Sequence, residues 1–528
     1  MNLSRLSLIA FLALIFSPFV ICKKLDAAFS PPITISNILV SSTDSEVAMN
    51  LSGNSVAVWI TFTGTEFFIE AAELPSGGSW TLPVTISTTS STPVFSPTIA
   101  INSSGYAVAL WIQSDGTNLR VQSSTSQFGG PWSTPVTVSN PGTDASNPQI
   151  GIDELGNAVA IWVDSDNIIA SSLPFGGSWS VPVQISPEGL DSTNPVLAMS
   201  ANGQAFALWQ TVIGPHTVIE GSTLTFGADW SFFGQLSASS MSSTNPTVAA
   251  DANGDAVAAW LQGSNPDVIT ATFIHDIGWS TPFPISNPAT QNSSPFASVN
   301  ATGDAVVVWL TQSSNELVQA VTFALDQVPT LVSTLSVTGQ DAQTPVVAVD
   351  PFGNALAGWL RSDGTNVVVQ VSILTAHGSW STPQTLSLDG NDAGSISLGV
   401  DTHQNAVVVW YEGGLTEHKV KASIGTDVLP TPPFPLPASN LVGGVLKNRF
   451  AMQTDRINHI EWQASTDPTV VGYHVYRDGT LIATIPPNAP LMYNDHNRRK
   501  NQPNVYTVTA FNADNLESDP ISIILPIK

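Results

Sequence analysis

The chain has a single cysteine in 528 residues, and basic residues are nearly absent from most of its length. With Cys22 alone there is no intramolecular disulfide and no cysteine-based metal site. Between residues 29 and 430 only Arg120, Arg361, Lys419 and Lys421 are basic, against 31 acidic residues. So acidic a body repels phosphate backbones and anionic membrane surfaces, which makes nucleic acid a poor partner. Charge of either sign is scarce too: 10% of residues, where an ordinary soluble domain has roughly 25%. The eight histidines are scattered without an i, i+4 pair, so no transition-metal site is indicated. There is neither a nucleophile elbow nor a phosphate-binding glycine loop, and no cofactor is implied. Beyond residue 28 no apolar run is long enough for a membrane helix.

Met1 to Ala28 reads as an export signal. Arg5 gives the positive start, Leu6 to Ile21 the apolar run, and Ala27 and Ala28 a small-residue cleavage region. The expectation is a secreted or cell-surface protein with no membrane span after signal removal.

What the chain has is repetition. Trp59, Trp111, Trp162, Trp209, Trp260, Trp309, Trp359 and Trp410 each close an Ala/Val-rich stretch, and the gaps between them run from 47 to 52 residues. In seven of the eight a glycine lies six residues back, as in Gly156-Asn157-Ala158-Val159-Ala160-Ile161-Trp162. One repeat divides into four strands: Pro148 to Ile152, Asn157 to Val163, Asn167 to Ser172, and Trp179 to Ser186. The turn Asp153-Glu154-Leu155-Gly156 suits a type I turn closed by a left-handed glycine. The set Asp251, Asn253 and Asp255 at another such turn reads as turn capping, since it lacks the glycine and final carboxylate of a calcium loop.

Both faces of the second strand are apolar, so its sheet must be covered on both sides. A period near 50 with four strands per unit meets that demand by radial stacking of sheets. The alanines let a neighbouring sheet approach and the tryptophan fills the widening gap, which makes the eight tryptophans structural. A fourth strand follows seven of the eight strand triplets; one of the seven starts at Thr330, without the tryptophan. The last triplet, Ile396 to Ile424, runs into prolines without one. Phe29-Ser30-Pro31-Pro32-Ile33-Thr34-Ile35-Ser36 matches Trp80-Thr81-Leu82-Pro83-Val84-Thr85-Ile86-Ser87 position for position and supplies it. The chain therefore resembles the β-propeller superfamily over residues 29–427, as an eight-bladed all-β ring closed by its N-terminal strand.

Residues 428–437 are a proline-rich spacer. Beyond it Trp462, Tyr473-His474-Val475-Tyr476 and Tyr506-Thr507-Val508-Thr509-Ala510 resemble a fibronectin type III β-sandwich over residues 438–528. By that resemblance Trp462 is the core tryptophan and Tyr506 the corner tyrosine tying a turn.

Sialidases, also bladed, clamp a carboxylate with three arginines, and the ring has only Arg120 and Arg361. Propeller geometry puts the loops after strands two and four on one side. Asp115, Asp164, Asp166, Asp267, Glu316, Arg361, Asp363 and Glu412 in the former are the candidate binding residues. The expected function is non-enzymatic binding of a protein or glycan partner. The alternative is a polysaccharide-active glycoside hydrolase with carboxylates near the axis.

Overall fold

The computed structural model describes residues 29–528 except 328, 330, 377, 389, 415–416, 431–434, 436, 450–453, 466–469, 500–502, 514, 519 and 526–528. The expected export signal, the start of one fourth strand at Thr330 and most of the proline spacer lie outside the described residues. Among those residues every regular element is a strand, and no helix is long and apolar enough to cross a membrane.

Eight sheets follow one four-stranded plan, the fifth with its outer strand split into Gly278–Trp279 and Phe283–Pro284. Sheet 1 runs in the order Ser41–Met49, Ser55–Phe62, Phe67–Leu74 and Val84–Thr85, each strand antiparallel to the next. Sheet 2 begins at Phe95, sheet 3 at Ala145, sheet 4 at Ser192, sheet 5 at Ser243, sheet 6 at Asn292, sheet 7 at Ala342 and sheet 8 at Asp392. Such four-stranded sheets fit the blades of a β-propeller. Sheet 8 takes its fourth strand from the other end of the chain, with Ile33 opposite Ala422 and Thr34 opposite Lys421.

The packing follows from the alternation in the second strands. Ala107, Ala109 and Trp111 of sheet 2 lie against Val56, Val58 and Ile60 of sheet 1. Ala57 and Trp59 of sheet 1 lie in the same way against Val407 and Val409 of sheet 8. The small alanines let the neighbouring sheet approach and the tryptophan fills the space left between the two, and all eight tryptophans are fully buried.

The fourth strands are shorter than the sequence pattern indicates. Val84–Thr85, Val136–Thr137 and Val183–Gln184 are two residues each, and Trp80, Trp132 and Trp179 fall before them. These are edge strands, and Pro83, Pro135 and Pro182 just ahead of them remove the donors that would invite another chain.

At one end of the stack the turns between first and second strands are linked sheet to sheet. Asn50 Nδ2 donates to the Asn102 carbonyl (3.0 Å), Asn102 Nδ2 to that of Asp153 (3.3 Å), and Asn300 Nδ2 to that of Asp350 (3.0 Å). Thr402 Oγ1 of sheet 8 reaches Leu51 of sheet 1 at 2.8 Å. Each such turn also caps itself, as Asp251 Oδ1 does by accepting the N–H of Asn253 and of Asp255, both at 2.8 Å. Gly53 shows why glycine recurs there: its φ is +85° and a Cβ would lie 2.5 Å from Asp401 Oδ2 of sheet 8.

The C-terminal part holds two further sheets. One pairs Ser439–Arg449, Thr454–Gln463 and Met492–Asp495; the other orders Thr480–Ile485, Val470–Arg477, Asn504–Asn512 and Ile521–Leu525. Trp462, Tyr473, Val475, Tyr506 and Val508 form their shared core. The Tyr506 hydroxyl ties side chains, donating to Asp495 Oδ2 at 2.5 Å and accepting from Asn458 Nδ2 at 3.0 Å. Burial and Asp495 push its pKa well above the ordinary phenol value.

Candidate functional site

The first strand of every sheet starts earlier than the sequence pattern indicates and carries a bulge. The register slips at the same point in all eight, between Thr43 and Glu46 in sheet 1 and between Gly394 and Ser397 in sheet 8. Each slip contains one non-glycine residue in the left-handed region. They are Asp44, Ser96, Asn147, Asn194, Asn245, Ser294, Thr344 and Ser395, with φ between 43° and 52°. Six of these precede a proline, and that recurring dipeptide is the sequence signal for the feature. Short side chains that bond locally tolerate this conformation best, which accounts for the Asn, Asp, Ser and Thr found there.

The bulges of sheets 2 to 6 line an opening of about 460 Å³. Farther in, the first strands of sheets 1 to 5, 7 and 8 line a second space of about 420 Å³, walled by Val47, Ile99, Ile150, Met199, Val349 and Leu398 among others. All eight first strands thus surround one axis, which passes from a neutral polar mouth to an apolar interior. Asn147, Asn194 and Asn245 are exposed at the mouth. The side chains of Asn147 and Asn245 have no hydrogen bond to protein among the described residues. Asn194 Nδ2 donates to Gln210 Oε1 at 3.0 Å.

Near the mouth the first strands hold three carboxylates, Asp44 and Glu46 in sheet 1 and Asp392 at the start of sheet 8. Asp44 is exposed. Glu46 is turned between sheets 1 and 2, where its Oε1 accepts from Thr98 Oγ1 (3.0 Å) and the Ile99 N–H (3.4 Å). Burial pushes its pKa up to about 7, against the lowering by those two donors. A carboxyl raised on folding contributes least penalty below its unfolded value near 4.5 and full penalty above 7. Stability of the ring is therefore expected to fall as pH rises from 4.5 to 7, and Glu46→Gln to flatten that slope; thermal unfolding across the range reads both.

The loops after the second strands lie at the mouth end, because the start of the next sheet ties them. Asp144 Oδ1 accepts the Leu119 N–H (2.8 Å), Asp341 Oδ1 that of Glu316 (2.9 Å) and Asp392 Oδ1 that of Val367 (2.9 Å). The eight candidate binding residues are spread over six sheets and do not converge. Asp115 Oδ1 accepts the N–H of Thr117 and Asn118, and its Oδ2 meets Arg120 at 2.8 Å. The Asn118 N–H and Arg120 hold its carboxyl well below the usual range. Asp363 caps its own turn through Thr365 and Asn366, both at 2.7 Å, and is lowered for the same reason.

Glu412 is buried, accepting from Trp410 Nε1 at 3.1 Å and facing Lys421 at 3.3 Å. Asp267 is raised by desolvation, and its Oδ1 is buried without a partner. Arg361 has its Nε buried and unpartnered. Asp164 accepts from Ser165 Oγ at 3.1 Å, Asp166 is exposed and Glu316 is half-buried. Among the described residues no three His, Cys, Asp or Glu are grouped to hold a metal ion.

No family model and no curated protein matches the chain. Among solved structures, it is similar to the BP39L lectin from Burkholderia pseudomallei at 14% identity and a TM-score of 0.47, covering 67% of this chain and all of that one. An ulvan lyase of polysaccharide lyase family PL25 aligns at 9% identity over 77% of this chain and 98% of its own, with a TM-score of 0.42. The α-L-arabinanase of Penicillium chrysogenum, solved with arabinobiose, aligns at 14% identity over 53% of this chain and 93% of its own, with a TM-score of 0.35.

Proposed function

We propose that residues 29–427 are an eight-bladed β-propeller closed by its N-terminal strand, and that the protein is an exported, non-enzymatic binder of neutral glycans. Residues 428–437 act as spacer and residues 438–528 as a fibronectin type III module that sets the ring at a distance from its attachment. The observation carrying the reading is the mouth: of eight equivalent left-handed positions seven carry uncharged amides or hydroxyls and one carries Asp44, and Ser96, Asn147, Asn194, Asn245 and Ser294 line an opening of about 460 Å³. Amides and hydroxyls both donate and accept, which suits the hydroxyl groups of a sugar. Their carriers are bulges pinned on both sides by sheet, so little ordering is needed on binding. Asp164, Asp166, Asp267, Glu316 and Arg361 form an outer rim that a longer ligand would meet, while Asp115, Asp363 and Glu412 hold the rim's shape.

Hydrolysis of a glycoside needs two convergent carboxyl groups. Against that role, Glu46 is engaged between two sheets and Asp44 lies on the same strand. A glycan array, followed by titration calorimetry on the best hit, tests the proposal. Asn147→Gly and Asn245→Gly keep the left-handed backbone and remove the amides. Each is expected to weaken binding about tenfold with the thermal midpoint little changed. A blank array, or affinity indifferent to both changes, would rule out the mouth as a glycan site; capture of a protein alone would replace the ligand class.

A further inference from the structure

A third cavity lies away from the mouth. About 380 Å³ opens between sheets 2 and 3, lined by Tyr106, Leu173, Ser178, Trp179 and a row of hydroxyls. Tyr106 begins a second strand and Ser178 follows a third, so the groove opens toward the end opposite the mouth.

Two departures from the repeat meet in this groove. The residue after the turn glycine, or after Gln404 in sheet 8, is Asn54, Asn157, Gln204, Asp255, Asp304, Asn354 or Asn405 in the other sheets, and Tyr106 here. Asn54, Asn157 and Asn354 use their side-chain oxygens to hold the loop between strands three and four. Tyr106 instead projects a ring that meets Phe175 of sheet 3 edge-on at 4.9 Å.

The second departure is Ser123. It stands opposite Leu110 in the sheet, where the equivalent residues are Ala71, Ala170, Gly221, Thr270, Ala320, Val371 and Ala422. Thr270 satisfies its hydroxyl on the Ala258 carbonyl at 2.7 Å. Ser123 lines the groove, and its Oγ is buried with no partner. A buried unpaired hydroxyl costs free energy, and packing alone would be served as well by alanine.

We infer that the groove between sheets 2 and 3 is a second binding site, for a single neutral sugar ring of a glycan. Trp179, half-buried against the core between the sheets, and Tyr106 supply apolar aromatic surface for the sugar's C–H face. Ser123, Thr125, Ser133 and Ser178 supply hydroxyls around it. No ionisable carboxylate or base lines the space, and the acidic ring repels uronates and sulfated sugars. The volume lies within the roughly 300–1,000 Å³ of small-molecule sites. The inference rests on the reading of the ring as a glycan binder and adds a site with its own chemistry.

Saturation-transfer NMR and calorimetry on the full chain, with a panel of neutral gluco-, manno- and galacto-oligosaccharides and their uronate counterparts, test it. A neutral member should bind, with affinity falling at least about tenfold in Trp179→Ala and about fivefold in Ser123→Ala. Ser123→Ala removes an unpaired hydroxyl, so a purely structural serine would leave affinity unchanged and the thermal midpoint equal or higher. It also serves if Trp179→Ala fails to fold. Affinity lost only in Asn147→Gly overturns the groove and leaves the mouth; affinity lost only in the groove variants does the reverse. Absence of any saccharide binding, or preference for the uronates, overturns the groove as proposed.

Discussion

Ile35→Asp is expected to lose about 4 kcal/mol of ring stability, whereas Ile33→Asp on the same strand stays within about 0.5 kcal/mol. Ile35 is 5% exposed and belongs to the core between sheets 8 and 1, with Val47, Trp59 and Val420. Ile33 is 44% exposed. A strand's faces alternate residue by residue, so two equal substitutions two positions apart would normally share a face and a fate. Here they differ in burial: Ile33, opposite Ala422, is largely open to solvent, whereas Ile35, whose N–H donates to the Val420 carbonyl at 2.9 Å, is enclosed by that core. Urea unfolding followed by tryptophan fluorescence measures both. Equal, small losses would mean that the first strand contributes nothing to closure. A large loss confined to Ile35 would also open the edge His418–Gly425, and light scattering should then report association.

The second large effect concerns the wedge tryptophans. Trp410→Ala removes a fully buried side chain and the donor that Glu412 uses, and about 4–5 kcal/mol is expected to go with it. Phenylalanine separates the two contributions. At Trp410 it keeps most of the volume but leaves Glu412, 2% exposed, to Lys421 alone. At Trp162 the indole N–H already lacks a partner, so Trp162→Phe removes volume only. Trp410→Phe should therefore cost more than Trp162→Phe by about 1–2 kcal/mol, read from the difference in unfolding midpoints. Equal costs would show that the Glu412 hydrogen bond adds nothing to the wedge.

The sheets were legible because their causes are local. A glycine at φ near +85° six residues before a tryptophan, and apolar residues on both strand faces, fix the hairpin and demand cover on each side. The match of Phe29–Ser36 to Trp80–Ser87 carried the pairing of the two chain ends for the same reason. The mouth was not legible. Asn147-Pro148 reads as the approach to a strand; a dipeptide ending in proline recurs there in six sheets, but it takes the register slip across from Ile161 and Val163 to show what it marks, a left-handed residue inside a strand. Nor could sequence tell which acidic loop residues are free. The groups that hold Asp144 lie 25 and 26 residues away in the preceding sheet, and Glu412 is buried by a lysine from the next strand.

The pairing of Ile33 with Ala422 fixes an order of events. The first piece of the ring to be synthesised is the last to find its partner, nearly four hundred residues later. Until then sheet 8 has no seat filled at its margin, and sheets 1 and 8 have only water where each will meet the other. Contacts that distant in sequence form slowly. A half-made chain is thus an open crescent with two sticky ends, and its vulnerable interval lasts as long as the ribosome takes to reach the final triplet.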